Sequence, residues 1–193
     1  LINKNADQYL DTINSLYGIQ DLENKYLDAI DNTDSISAQQ KLNELMEEEV
    51  AALREKDKLT QYDIDRANMK YEIALKQIAL EEAQQNKSTM RLRRDSQGNY
   101  TYQYVADNDQ VGQIEDELSS LKNELYNFDL EHYRDNLDQV LSIYTEFQEK
   151  MAEAALINDP EERQERELLL REQYGELING LVEQNEDIRT NLH

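Results

Sequence analysis

No glycine or proline occurs between Gly18 and Gly98, and none between Gly112 and Pro160. A chain of 193 residues with 5 Gly and 1 Pro has few places where a helix is broken by its own backbone chemistry, so long helices are its default. Apolar residues make up 38% and charged residues 32%, too little apolar mass for a thick core. The geometry that fits is a narrow seam, in which each helix buries one stripe against a neighbour.

The spacing of apolar residues divides the chain into five parts. Residues 1–36 form a broken helix and loop: Ile2, Ala6, Tyr9, Ile13 and Leu16 repeat at helical spacing, Gly18 interrupts, and Leu22, Tyr26 and Ile30 resume. Asp31 to Ser35 is rich in turn-forming side chains. Residues 37–86 read as one long helix with a capping box at Ser37 and Gln40. Its seam is Met46, Val50, Leu53, Asp57, Thr60, Ile64, Ala67, Tyr71, Ala74 and Ile78, with Asp57 and Thr60 as a polar defect. Residues 107–157 form a second long helix. One of its stripes is Val111, Ile114, Leu118, Leu121, Leu125 and Phe128; a second is Tyr126, Leu130, Tyr133, Leu137, Val140, Tyr144, Phe147, Met151 and Ala154. Residues 158–193 make a C-terminal helix, capped by Asp159 with Pro160 at its first position. Its stripe is Leu170, Tyr174, Leu177, Leu181 and Ile188.

Residues 87–106 break the pattern. Period-two alternation surrounds Asp95-Ser-Gln-Gly98, which suits a turn with Gly98 in the left-handed region. Pairing Asp95 with Asn99 sets Arg94 opposite Tyr100, Leu92 opposite Tyr102 and Met90 opposite Tyr104. One face then holds Met90, Leu92 and the three tyrosines; the other holds Arg91, Arg93, Thr101, Gln103 and Val105. The fold class is therefore all-α: long coiled-coil-like helices with one β-hairpin inserted between the two longest. An isolated hairpin is marginal in water, so its tyrosine face should pack on neighbouring helices or on a partner.

The net charge is −22, and residues 87–106 are the only segment of positive sign, at +3. So acidic a chain repels phosphate, which excludes stable direct nucleic-acid binding as the main activity. Lys87, Arg91, Arg93 and Arg94 make a docking point for an acidic surface, with Tyr100, Tyr102 and Tyr104 beside them. No run approaches the length of a membrane span, and no cysteine is available for thiolate chemistry. The two histidines, His132 and His193, have no partner at metal-ligand spacing. Asp107-Asn-Asp109-Gln-Val-Gly112 begins like a calcium loop but has Leu118 where a bidentate Glu is required, so Asp107 reads as a helix cap. The remaining carboxylates sit on solvated helix faces. No catalytic residue, cofactor or metal is expected, and the chain does not read as an enzyme.

The stretch from Tyr71 through Ile78-Ala-Leu-Glu-Glu-Ala-Gln-Gln-Asn86 and the hairpin to Asp107 resembles a segment of tape-measure and related tail-interior proteins of tailed bacteriophages. In those a long helix ends in a basic strand, an Asp-x-x-Gly-Asn turn and an aromatic strand, then resumes as helix. The resemblance covers about a fifth of the chain. It implies a helical filament that sets or fills the tail tube, located in the virion and, during assembly, in the host cytoplasm. The implied partners are copies of itself, as a trimer or hexamer, and other tail or virion proteins. It carries no family site residues. The alternative is a cytoplasmic coiled-coil adaptor or chaperone module. Whether the long helices fold back as an antiparallel pair or run in line is left open by the pattern.

Overall fold

A computed structural model describes residues 2–56, 59–87 and 89–192, with side chains from Ile13 onward except those of residues 15 and 191. In order these form α1 (Ile2–Asp31), α2 (Ile36–Glu55), α3 (Gln61–Gln85), β1 (Thr89–Arg94), β2 (Tyr100–Val105), α4 (Asn108–Ala154) and α5 (Pro160–Asn191). The architecture is all-α with a single two-stranded antiparallel hairpin, set between α3 and α4. The chain divides into two compact units, one up to Leu125 and one from Tyr126 onward.

In the first unit, α1, α2 and α3 pack as an up-down-up bundle, and cross-helix pairs give the register. Lys41 reaches Glu81 at 2.5 Å and Lys70 reaches Glu49, so α2 and α3 are antiparallel. Lys25 donates to Asn68 at 2.7 Å, and the Tyr26 ring meets Tyr71 edge-on at 4.7 Å, so α1 runs alongside α3 in the same sense. The core is Ile19, Leu22, Tyr26, Ala38, Leu42, Val50, Leu53, Ile64, Ala67 and Ile78. Leu22, Tyr26 and Leu42 are at most 1% exposed, and each such side chain is worth about 1.5–3 kcal/mol of burial. Burial is also the first cause that pushes the Tyr26 hydroxyl above its ordinary pKa, with Glu49 adding to it. Lys76 holds Glu117 at 2.6 Å, bringing the end of α3 beside the start of α4 with the hairpin between them.

Three local expectations are corrected. Gly18 does not break the first helix, because α1 is continuous through it. Its role is close approach: a Cβ there would meet the Ile64 Cγ2 at 2.9 Å. The helix expected over 37–86 is two helices. Thr60 and Asp63 form a reciprocal capping box that starts α3 afresh, and Asp63 also receives Lys56 at 2.6 Å. The polar defect is thus a chain reversal; Asp57 itself lies outside the described residues. The cap of α2 is Ser35, whose hydroxyl accepts from the Ala38 amide, two residues earlier than the Ser37 box. The side chains of Ile2, Ala6 and Tyr9 lie outside the described ones, as does His193.

In the second unit, the later part of α4 and α5 are joined by a short turn after Ala154. Phe147 packs on Tyr174 at 5.6 Å between ring centroids, and the Tyr174 hydroxyl donates to Glu146 at 2.8 Å. Residues so distant along a helix would lie about 40 Å apart at 1.5 Å per residue, so the chain folds back here. Asp159 caps α5 by accepting from the Glu161 and Glu162 amides. Ala154, Leu170 and Ile188 are buried as the stripes predict. Tyr126, Leu137, Tyr144 and Leu177 are not: each is 46–55% exposed. The buried positions between them are Asp129 and Asn136 on α4 and Asn185 on α5. The seam therefore lies one step round the helix from the most apolar stripe.

Asn136 and Asn185 sit eleven residues before Phe147 and eleven after Tyr174. Eleven residues make about three turns, so the aromatic contact places the two amides level on the facing sides. Asn136 Nδ2 and Asn185 Oδ1 are buried without a hydrogen-bond partner, each at a desolvation cost of about 1–3 kcal/mol.

Three expected outcomes follow from this packing. Gly18→Ala meets an overpacking cost of about 1–3 kcal/mol that outweighs the roughly 1 kcal/mol gained in helix propensity; denaturant unfolding should show a net loss. Gly175→Ala and Gly180→Ala face open space and should each gain up to about 1 kcal/mol. Replacing Asn136 and Asn185 together by Leu removes both stranded groups, so the thermal midpoint should rise, and a fall would mean that the amides are satisfied in solution.

Candidate docking ribbon

The hairpin is built from its turn outward. Gly98 adopts φ +89°, where a Cβ would be strained. Its amide donates to the Asp95 carbonyl at 3.1 Å, and the Asp95 amide to the Asn99 carbonyl at 2.9 Å. The Asp95 carboxylate accepts from the Gln97 amide at 2.9 Å and the Asn99 amide at 2.8 Å. These amides, that of Asn99 foremost, hold the Asp95 carboxyl below its ordinary pKa. The strands pair as the alternation predicts, with Arg94 opposite Tyr100, Leu92 opposite Tyr102 and Met90 opposite Tyr104. Arg94 adds a brace: its Nε donates to the Gly98 carbonyl at 3.3 Å, and its guanidinium lies 5.7 Å from the Tyr100 ring centroid. Such a cation–π contact is worth about 0.5–1 kcal/mol at an exposed site.

The two faces are chemically distinct, and both are open. Met90, Leu92, Tyr100, Tyr102 and Tyr104 lie together on one face, each 53–71% exposed. Packing within the described part of the first unit does not cover them, so of the two expected coverings the neighbouring helices of that unit do not supply one. Arg91 and Arg93 project from the other face, and with Lys87 they are exposed. Among the described residues none of these three forms an ion pair, although seven such pairs occur elsewhere in the described chain. The structure thus places the seven sequence-predicted residues along the ribbon and its approach: Arg94 braces the turn and Tyr100, while Lys87, Arg91 and Arg93 form no ion pair among the described residues and Tyr102 and Tyr104 stay exposed.

Other candidates resolve as architecture. Asp107 caps α4, its carboxylate accepting from the Asp109 amide at 3.1 Å. His132 is half-buried on α4. Among the described residues no group of three or more His, Asp or Glu side chains converges as a metal site. No described helix is long and apolar enough to cross a membrane.

The polar seam was missed in the sequence. Asp129, Asn136 and Asn185 break the heptads, and only their spacing of seven from Asp129 to Asn136 signalled a seam position. No family model, curated protein or solved structure matches this chain.

The lowered Asp95 carboxyl fixes how the ribbon responds to acid. A group whose pKa falls on folding contributes stability above its unfolded value and loses it as pH drops through its folded value. The Gln97 and Asn99 amide resonances should therefore hold their folded positions as pH falls into the ordinary carboxylate range, and move only below it. Asp95→Ala should shift them at neutral pH; unshifted resonances would mean that the carboxylate does not order the turn.

Proposed function

We propose that this protein is a structural protein that works by contact rather than catalysis, of the tape-measure type that lies in the interior of phage tails, with the ribbon as its docking element. The observation that carries the contact reading is the open ribbon: a braced, two-faced surface whose apolar side chains are exposed and whose Lys87, Arg91 and Arg93 form no ion pair among the described residues. Monomeric proteins seldom leave a cluster of large apolar side chains uncovered without a partner for it. The tail-interior setting is supported by the likeness of residues 71–107 to such proteins and by the acidic helices, which do not hold passing DNA. In this setting helix length is the working quantity, and partners are copies of the chain or other virion proteins.

A cytoplasmic adaptor or chaperone module is the second reading, favoured by one observation. The bundle of α1, α2 and α3 closes its core within a single chain, so its seams do not need other copies. The two readings part on tail length. In a phage encoding this chain, four extra heptads inserted in α4 add about 40 Å of helix. A ruler or filler should lengthen or disturb the tails seen by electron microscopy, whereas an adaptor should leave them unchanged.

A further inference from the structure

We propose that the ribbon docks on a second copy of this chain, its tyrosine face lying on the outer side of α4 around Leu141. This rests on the ribbon being a contact element and names its partner. Charge makes the first selection. The acidic helices of two copies repel each other, and the ribbon is the only segment of positive sign in a chain of −22. Self-association therefore has a favourable Coulomb contribution only where a ribbon meets a helix.

Apolar surface makes the second selection. On α4, Leu137, Leu141 and Tyr144 follow one another at steps of four and three and are 46%, 65% and 50% exposed. Leu141 floors a shallow depression edged by Asp138, Glu146 and Glu149. This is an apolar strip with carboxylates at its rim, the complement of tyrosines flanked by guanidinium groups. The residues from Tyr126 onward carry a net charge of −11, so Arg91 and Arg93 draw the ribbon in while the tyrosines and Leu92 displace water from the strip. Arg94, on the tyrosine face, is placed to meet a rim carboxylate.

Two charge-reversed chains test this. One carries Arg91→Glu, Arg93→Glu and Arg94→Glu; the other carries Asp138→Lys and Glu149→Lys. All are exposed, and circular dichroism with the unfolding midpoint confirms that each chain folds. In sedimentation velocity the unaltered protein should grow in mass with concentration and lose affinity about tenfold or more at high salt. Each variant alone should associate at least tenfold more weakly. Mixed together they should associate again, because the reversed ribbon meets the reversed helix. An unaltered protein that stays a single chain at every concentration overturns the assignment of the partner. The contact reading then still stands or falls on whether the ribbon variant disturbs tail assembly in the phage. Association unchanged in both variants overturns the partner and the ribbon's role together, and two weakened variants that do not recover on mixing overturn the α4 face.

Discussion

The bundle exists because α2 ends at Glu55 and α3 starts afresh at Gln61. A continuous helix through this point would carry its apolar stripe far from any partner in the same chain. Thr60 and Asp63 instead satisfy each other's free groups at a new helix start, and the helix turns back on α2. Once it does, Lys41 of α2 faces Glu81 of α3 and Lys70 of α3 faces Glu49 of α2, and the groove between them receives α1. Ion pairs of this kind are individually worth little at a surface. Here they select the register in which Leu22, Leu42 and Tyr26 are sealed, and the apolar burial supplies the energy.

Gly18 shows how tight that seal is. A helix-breaking residue is retained in the interior of a 30-residue helix at a propensity cost of about 1 kcal/mol, because the Ile64 side chain occupies the space a Cβ would need. A Cβ added at Gly175 or Gly180 would meet nothing within 4 Å. Two kinds of glycine therefore carry opposite meanings in one chain, and only the distance to a neighbouring helix tells them apart.

That contrast explains what could be read from the residues alone. The hairpin, its register, the positive φ at Gly98 and the caps at Asp107 and Asp159 were legible, because each depends on a few adjacent side chains. The seam of the first bundle was legible too, since Val50, Leu53, Ile64, Ala67 and Ile78 all bury as the heptads predict. The break at Thr60 was visible only as a polar defect, because a capping box and a loosened seam share the same residues. The α4 seam was misplaced around Asp129 and Asn136, where the more apolar flank drew the assignment outward. Whether a ribbon is covered by its own chain is a question of tertiary placement, and alternation along a strand says nothing about it.

The exposed flank of α4 has a local physical origin. In the second unit the polar residues Asp129, Asn136 and Asn185 take the inner positions, while Leu137, Leu141 and Tyr144 remain half open on the flank. Buried amides weaken a seam, and here Asn136 Nδ2 and Asn185 Oδ1 are left without partners. Apolar side chains displaced to the flank lose the helix–helix contact and become available to something else. In the proposed contact, a ribbon with an exposed tyrosine face and with Arg91 and Arg93 outside any ion pair is the matching half of that arrangement. Both surfaces would be liabilities on an isolated protein of neutral charge. On a chain of −22, repulsion between the acidic helices limits indiscriminate association. It leaves the basic ribbon as the one surface on which attraction and apolar burial act in the same direction.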